Sequence, residues 1–341
     1  MQPATIRDKL DLCRKQAGVP GAAVGYLFEG IITLGTSGVG KAGATSPIRR
    51  DSIFEAASLS KQILAHVVLR MVDAGTFDLE ARALSLVNPA NLAESYWSSF
   101  AKIEGFSNIS VRTILSHCTG LPNWPPPEGI NKLLFGPGTY FQYSGLAYVF
   151  LQWILEQRLQ KRWQDIATEY VFAPLHMTHS GFAWQDTWED DLVHGHTANG
   201  DAAEKNRSVP GETAGALLTS VSDYSIFLRD LLERMTDSRS AFAQMALPQT
   251  SRFYGSDREW PIAWGVGIGI EFYRDRVFVW QHGANPYFYN WLIANPKTQE
   301  GIVIFSNAEP GHSLLRTYVE SVLGEGHPCF DFDECYLKQN S

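Results

Sequence analysis

The spacing of apolar and polar residues divides the chain into strand-forming ends and a helical middle. Across residues 58–75 the apolar side chains recur at three- and four-residue intervals, which predicts a largely buried helix that Gly75 ends. Near the N-terminus, short apolar runs on either side of Glu29-Gly30 are typical of a β-hairpin. Late in the chain, strands are predicted by WGVGIGIEFY, RVFVWQHGA, YNWLIANP and GIVIFSN, and a closing helix by HSLLRTYVESVL.

Strands at both ends with helices between them favour an α/β fold in which the two ends of the chain share one domain. We predict an α/β domain made of residues 1–57 and 211–341. In residues 58–210, helical pieces alternate with loops rich in proline and glycine, so this part would form an inserted, mainly helical domain. The helix that starts at Ser58 would then lie at the interface between the two domains.

Composition and charge argue against several classes of protein. The 341 residues carry a net charge of −8 without a basic cluster, which disfavours nucleic acid or an anionic membrane as a partner. No apolar run approaches the roughly 20 residues of a bilayer-spanning helix. The charged first residues lack the apolar segment of a signal peptide and predict a cytoplasmic protein, or a secreted or periplasmic one whose leader was removed. Of the four scattered cysteines, Cys329 and Cys335 would bridge only in an oxidising compartment, and free thiols are favoured.

The first candidate chemistry lies at the start of the predicted helix, in Ser58-Leu59-Ser60-Lys61. If Ser58 occupies the first turn, Lys61 follows one turn later on the same face, near the free N–H groups of the helix N-terminus. That setting suits a serine nucleophile and a lysine that accepts its proton. The alternative is a capping serine followed by a solvated lysine. Two further stretches bear on this choice: Tyr143-Ser144-Gly145 before an apolar helix, and His282-Gly283-Ala284 at the end of a strand.

In this order, the three stretches resemble the signature of the serine β-lactamase and penicillin-binding-protein superfamily, in which S-x-x-K is a known motif. The resemblance is to class C β-lactamases, D-Ala-D-Ala carboxypeptidases and family VIII esterases, and it spans roughly residues 5–325. Supporting stretches are VPGAAVGYLFEG, VRTILSHCTGLP, PLHMTHSGF and TAGALLTSVSDYSIFL. The resemblance implies an antiparallel sheet flanked by N- and C-terminal helices, with the mainly helical region inserted.

The resemblance also implies roles for individual residues. Ser58 would attack the acyl carbon and carry the acyl-enzyme, and Lys61 would accept the serine proton or tune its neighbours to do so. Tyr143 would relay a proton to the leaving group. His282, where many relatives carry Lys, would hold the polar end of the substrate or position Tyr143. The oxyanion hole would be formed by the backbone N–H groups of Ser58 and Asn285, and neither a metal nor an organic cofactor is needed.

The sequence departs from the family pattern at positions that would bind substrate. Gly145 replaces an Asn whose side chain contacts the amide of a β-lactam or peptide, which favours ester-type or unusual substrates. The third motif usually ends in Gly, whereas here it ends in Ala284. The methyl group of Ala284 would narrow the approach to the strand edge. Tyr287 stands where relatives often carry Gly and is expected either as an aromatic wall or as plain core. Trp124, in a stiff proline-rich loop, would roof the pocket or pack against the helical region.

These observations leave three functions open. The first is a serine hydrolase that cleaves ester or amide bonds of a small acyl or peptide-like substrate. The same acyl-enzyme chemistry with another acceptor would make an acyltransferase or a peptide cyclase. The third is a binding or scaffold protein that kept the fold and lost turnover, which the intact Ser58, Lys61 and Tyr143 disfavour.

Histidine pairs elsewhere do not predict a metal site. His176 with His179 has helical ligand spacing, and His194 with His196 lies in the stretch VHGHTANG, expected to be a surface loop. Neither pair has a neighbouring cluster of carboxylates or cysteines that would complete a coordination sphere. His117 corresponds to a histidine common in the family and is expected to be structural.

Overall fold

The computed structural model describes residues 2–205, 207 and 211–338, and within these ranges seven strands form one antiparallel sheet. A second sheet in the same ranges has two strands. The strands are β1 (Gly21–Phe28), β2 (Ile31–Gly38), β3 (Ile53–Ala57), β4 (Leu217–Ser220), β5 (Ile262–Trp264), β6 (Gly269–Tyr273), β7 (Arg276–Asn285), β8 (Phe288–Asn295) and β9 (Glu300–Ser306). The large sheet has the order β2-β1-β9-β8-β7-β6-β5, so its N-terminal hairpin pairs with the last strand of the chain, and β3 pairs with β4 in the small sheet.

Helices cover the sheet and fill the middle of the chain. They are α1 (Pro3–Ala17), α2 (Ser60–Asp73), α3 (Pro89–Ala93), α4 (Val111–Leu115), α5 (Gly145–Leu159), α6 (Trp163–Ala167), α7 (Val221–Met235), α8 (Gly311–Leu323) and α9 (Pro328–Phe332). Wider π-helical turns follow α6 and α9, at Thr168–Phe172 and Asp333–Leu337. Short 3₁₀ helices lie at Ala83–Leu86, Tyr96–Ser98, Phe100–Lys102, Phe106–Asn108, Asp186–Trp188 and Ala241–Ala246.

Two hydrophobic cores form on opposite faces of the large sheet. Along β9, Val303 and Phe305 belong to the core that contains α2, α5 and α7, whereas Ile302 and Ile304 belong to the core that contains α1, α8 and α9. Successive residues of a strand point to opposite faces, so a sheet covered on both sides needs apolar residues at every position. This explains why the central strands are continuous apolar runs in the sequence.

The structure confirms the predicted fold class. The turn between β1 and β2 places Glu29 and Gly30 at φ of 50° and 77°, the left-handed conformation that a type I′ hairpin turn requires at both positions. The stretch WGVGIGIEFY contains the last residue of β5, a turn with Gly267 at φ of 82°, and the whole of β6, which pairs with β5. Neither the small sheet nor the C-terminal helical segment, residues 328–338, was predicted from the sequence.

Three further predictions from the sequence concern membrane-spanning helices, the two C-terminal cysteines and the domain boundary. In the described ranges, no helix is both long and apolar enough to cross a membrane. Cys329 is a buried thiol and Cys335 an exposed one, and neither is in a disulfide. The predicted end of the helical domain, at residue 210, lies outside the described residues, and the division into two domains stays a prediction.

Candidate active site

Ser58 lies in a sharp turn between β3 and α2. The preceding residue, Ala57, has a φ of 51°, which is uncommon for a residue with a side chain, and α2 begins only at Ser60. The expectation that Ser58 occupies the first helical turn is therefore wrong by two residues, because Ala57 reverses the chain before the helix starts. The turn places Ser58 at the wall of a cavity of about 490 Å³.

The second serine of the motif has a different environment. Ser60 is fully buried, and its hydroxyl donates to the carbonyl oxygen of Ala57. The same Oγ accepts a hydrogen bond of 2.9 Å from the backbone N–H of Leu217 in β4. Ser60 thus connects the turn to the small sheet by a hydrogen bond, whereas Ser58 lines the cavity.

Lys61 is in direct contact with Ser58. Its Nζ lies 3.0 Å from Ser58 Oγ and donates a second hydrogen bond, of 2.6 Å, to the carbonyl oxygen of Ala214. The lysine is only 2% exposed, and its Nζ lies 4.8 Å from the centre of the Tyr143 ring. A proton can pass directly between Ser58 and Lys61, because the two groups are within hydrogen-bonding distance.

Tyr143 is held in place by contacts with β7 and with the turn that follows α4. Its Oη accepts a hydrogen bond of 3.1 Å from Gln281 Nε2, which leaves the phenolic O–H available as a donor. Its ring stacks on His117, with ring centres 4.3 Å apart. His117 Nδ1 accepts from the backbone N–H of Ser144 at 3.0 Å, and burial together with the nearby Lys61 keeps the pKa of His117 well below its usual value. A neutral His117 therefore supports the tyrosine side chain.

The third motif lies at the end of β7, beside the nucleophile. A Cβ at Gly283 would collide with the carbonyl oxygen of Ala56, so only glycine allows β7 to approach β3 this closely. His282 lines the cavity, and burial, with the charges of Lys61 and Lys338, lowers its pKa to about 3. The imidazole is therefore neutral at physiological pH.

Ala284 and Asn285 also line the cavity. The Asn285 side chain donates to Glu55 Oε2 at 3.0 Å and to the carbonyl oxygen of Gly215 at 3.3 Å. These contacts tie the end of β7 to β3 and to the loop before β4. The backbone of Asn285, predicted to contribute to the oxyanion hole, is thereby held in the wall of the cavity that Ser58 also lines.

The second motif differs most from its expected arrangement. Gly145 does not line the cavity, and its backbone N–H donates to Asn123 Oδ1 at 2.7 Å. A Cβ at Gly145 would lie 2.9 Å from Cζ2 of Trp124. Asn123 and Trp124 line the cavity and occupy the space into which an Asn side chain at position 145 would project. Of the two alternatives for Trp124, the structure supports a place in the cavity wall.

Tyr287 is also absent from the residues that line the cavity. It has a φ of 70° in the turn between β7 and β8, a conformation that glycine adopts more easily than tyrosine. Its side chain packs against the larger core, and Tyr289, two residues later, supplies an aromatic wall instead. The predicted wall thus exists, but a neighbouring residue forms it.

Sequence reasoning missed a further group of cavity residues. Glu212, Ala214 and Gly215 lie in the loop before β4, directly preceding or within a stretch that carries the family resemblance. Burial raises the pKa of Glu212, and its carboxylate accepts from the backbone N–H of Ala214. Lys338 comes from the C-terminal helical segment, where no motif marks it.

The histidine pairs are separate from this cavity. His196 is fully buried, so the expectation of a surface loop is wrong for this residue. Its Nε2 accepts from the backbone N–H of Ala42 at 2.9 Å and its Nδ1 donates to Asn307 O at 2.7 Å, so both ring nitrogens serve structure. Nowhere in the described residues are three His, Cys, Asp or Glu side chains grouped so that they could hold a metal ion.

The fold, with Ser58 and Lys61 in contact at the cavity wall, defines a protein of the β-lactamase and transpeptidase class. The sequence model of the Beta-lactamase family matches residues 5–322, and the chain therefore belongs to the beta-lactamase family. Members of this superfamily are generally serine hydrolases that react through an acyl-enzyme.

Individual relatives are distant. Penicillin-binding protein 4 of Amycolatopsis lactamdurans is 24% identical over 184 residues, which cover 50% of this chain and 46% of that protein. The chain spans about half the length of the curated relatives it matches. The octameric penicillin-binding protein homologue from Pyrococcus abyssi has a TM-score of 0.77 at 19% identity, covering 99% of this chain and 82% of the other. A class C β-lactamase has a TM-score of 0.75 at 16% identity, covering 96% and 98%. The two structures share the fold of this chain.

Proposed function

We propose that the protein is a serine hydrolase that forms an acyl-enzyme on Ser58 and cleaves ester or amide bonds of a small acyl or peptide-like substrate. The observation that carries this proposal is the 3.0 Å contact between Lys61 Nζ and Ser58 Oγ in the wall of the cavity. A capping serine followed by a solvated lysine would not bring the two side chains together in a buried site.

In the proposed acylation step, the neutral amine of Lys61 takes the Ser58 proton while Oγ forms a bond to the substrate carbonyl carbon. The carbonyl oxygen becomes an oxyanion, which the backbone N–H groups of Ser58 and Asn285 stabilise. As the intermediate collapses, the bond to the leaving group breaks, and Tyr143 donates its hydroxyl proton to that group. Lys61 returns a proton to Tyr143, whose ring lies 4.8 Å from its Nζ.

Water then attacks the acyl carbon and the same residues act in the reverse order, releasing the acid and free Ser58. His282 would contribute as a neutral hydrogen-bonding group at the cavity wall, where many relatives carry a cation.

The second motif supports ester-type substrates. The place of the family's amide-binding Asn is taken by Gly145, with Trp124 and Asn123 packed beside it. An amide substrate would leave one of its polar groups unpaired there, which costs about 1–3 kcal/mol. We therefore expect aryl esters with short acyl chains to react faster than penicillins or D-Ala-D-Ala peptides.

Active-site labelling tests the proposal. A fluorophosphonate should add one label, detected by intact-mass measurement and mapped to the peptide that contains Ser58. Ser58→Ala should abolish both the label and turnover with nearly unchanged melting temperature. An unlabelled wild-type protein would support the binding or scaffold function instead, and a label that maps to another residue would show that Ser58 is not the nucleophile.

A further inference from the structure

A buried carboxylate lies directly behind the third motif. Asp333 Oδ1 is 3.4 Å from Nδ1 of His282, and Asp333 Oδ2 is 3.7 Å from Nε2 of His312. Asp333 belongs to the C-terminal helical segment, in the turn that follows α9, and lies beyond the residues that match the family. Its side chain is completely inaccessible to solvent.

The polar atoms of this cluster have unused hydrogen-bonding capacity. Among the residues that the structure describes, no donor has hydrogen-bonding geometry to either carboxylate oxygen of Asp333, and Nδ1 of His282 has no partner either. Buried polar groups are normally paired, and an unpaired buried carboxylate is especially unfavourable. Because Asp333 Oδ1 and His282 Nδ1 face each other just beyond ordinary bonding distance, each is the natural partner of the other.

The two edges of the His282 ring have different surroundings. Nδ1 is buried against Asp333, whereas the side chain as a whole keeps 11% of its surface exposed and lines the cavity. In a neutral imidazole one nitrogen carries the proton and the other accepts hydrogen bonds, so a partner at Nδ1 decides what the opposite edge can do.

We propose that Asp333 is a positioning residue for His282: it accepts a hydrogen bond from Nδ1–H and thereby presents an unprotonated Nε2 toward the cavity. This inference rests on the proposed function, because it concerns the role of His282 in the reaction. A carboxylate that orients a histidine in this way also fixes its tautomer. The third motif then offers a neutral acceptor where many relatives offer the cation of a lysine.

Other charges around the pair do not supply the missing hydrogen bond. The titratable groups around it come from α2, the turn after α4, the loop before α5, β8, α8 and the C-terminal helical segment, and they are Lys61, His117, Tyr143, Tyr289, His312, Cys329, Glu334 and Lys338. The lysines disfavour a protonated His282. His312 contacts Glu334 Oε1 at 3.0 Å through Nδ1, whereas its buried Nε2 has no hydrogen-bond partner among the described residues and faces the other carboxylate oxygen, Oδ2, at 3.7 Å. Burial raises the pKa of Asp333 to about 7, so its ionisation falls near neutrality.

The variant Asp333→Asn tests the proposal because its amide N–H would donate to Nδ1 and force the proton onto Nε2. We expect kcat for an aryl ester at about pH 8 to fall on the order of 10²-fold, the lower end of what a positioned proton acceptor contributes, with a much smaller change in KM. We also expect wild-type kcat to rise through neutral pH as Asp333 ionises, and this rise should be absent in Asp333→Asn. Asp331→Asn is the matched control, since Asp331 lies two residues earlier, is 54% exposed and pairs with Arg316 at 2.8 Å.

A measurement on the unaltered protein covers the case in which the variant fails to fold. Two-bond ¹⁵N–¹H correlation spectra report the tautomer of each of the nine histidines, with His282 assigned by loss of its signals in His282→Gln. The proposal requires the Nδ1–H tautomer for His282 at about pH 8. An Nε2–H tautomer there, or wild-type kcat and pH profile in folded Asp333→Asn, would overturn it. Fluorophosphonate labelling of Ser58 in the wild type reports the proposed function separately, so the two failures are distinguishable.

Discussion

Replacing Gly145 with asparagine tests how the second motif selects its substrate. In relatives with Asn here, the side chain contacts an amide that simple esters lack, so Gly145→Asn should raise activity on amide substrates relative to esters. The structure modifies this expectation, because the new Cβ would lie 2.9 Å and 3.2 Å from the Trp124 atoms Cζ2 and Cη2 and 3.1 Å from Asn123 Oδ1. Carbon atoms normally approach to about 3.5–4.0 Å, so the indole has to move by somewhat under 1 Å.

The displaced ring determines the size of the effect. Trp124 is 51% exposed and can swing outward, whereas Asn123 is held by its hydrogen bond to the Gly145 N–H. Restoring the missing contact should be worth about 1–3 kcal/mol, or roughly 5- to 150-fold in relative rate. We expect the single variant to show only part of this gain and the double variant Gly145→Asn, Trp124→Ala to show all of it.

The assay compares kcat/KM for nitrophenyl butyrate, a chromogenic cephalosporin and a D-aminoacyl anilide in wild type, both single variants and the double variant. Trp124→Ala alone is the reference for the double variant, because it opens the cavity without adding an amide. The reasoning would be refuted if the amide-to-ester ratio of the double variant equalled that of Trp124→Ala. Efficient cephalosporin hydrolysis by the wild type with negligible esterase activity would refute the expected substrate class as well.

Three further results are expected. Ser60→Ala should lower the free energy of unfolding by about 1–3 kcal/mol, because the N–H of Leu217 loses its partner, while the nucleophile is still labelled. Lys61→Ala should lose at least on the order of 10²-fold in kcat/KM, and adding Tyr143→Phe should cost much less than that change costs alone. Asp333→Asn should raise the melting temperature relative to wild type more at about pH 8.5 than at about pH 6.5.

The direction of the pH effect follows from burial. Folding raises the pKa of Asp333 from 3.8 to about 7, so between these values the folded state binds more protons than the unfolded state does. The contribution of Asp333 to the free energy of unfolding is therefore fully present below 3.8 and is lost as pH rises through 7. His282 acts in the opposite sense, because folding lowers its pKa from 6.5 to about 3. Its contribution to the free energy of unfolding is therefore present above pH 6.5 and is lost as pH falls toward 3. An equal difference in melting temperature at both pH values would contradict a buried carboxyl at position 333. Additive losses for Lys61 and Tyr143 would indicate that they serve separate steps.

The sequence predicts those parts of the site that lie in continuous apolar elements or at their ends. The helix that carries Lys61, the helix that follows Tyr143 and the strand that carries His282 each have a local period, so their motifs could be placed. The strands β3 and β4 have only five and four residues, too few for a period to be distinguished from chance. Without β3, the left-handed turn at Ala57 that places Ser58 before the helix could not be foreseen.

The aromatic part of the cavity wall depends on how the turn between β7 and β8 is built. Tyr287 and Tyr289 have similar sequence surroundings, and only the turn that Tyr287 occupies decides which of them faces the cavity. A single-residue change of register in that turn would move Tyr289 to the opposite face of the sheet and bring Phe288 into its place, since side chains alternate along β8.

Asp333 illustrates the same limit at longer range. The C-terminal helical segment docks through aromatic side chains, with Phe330 stacked on Trp291 of β8 at 4.5 Å between ring centres. Trp291 pairs across the sheet with His282, so the packing of these aromatic residues places the Asp333 carboxylate next to His282 of the third motif. Apolar packing provides the stabilisation, and the buried carboxylate opposes it. The chemistry of the neighbouring histidine explains a charged residue in so unfavourable a position better than stability does. The pH dependence of activity and the pH dependence of unfolding should therefore change together in Asp333→Asn.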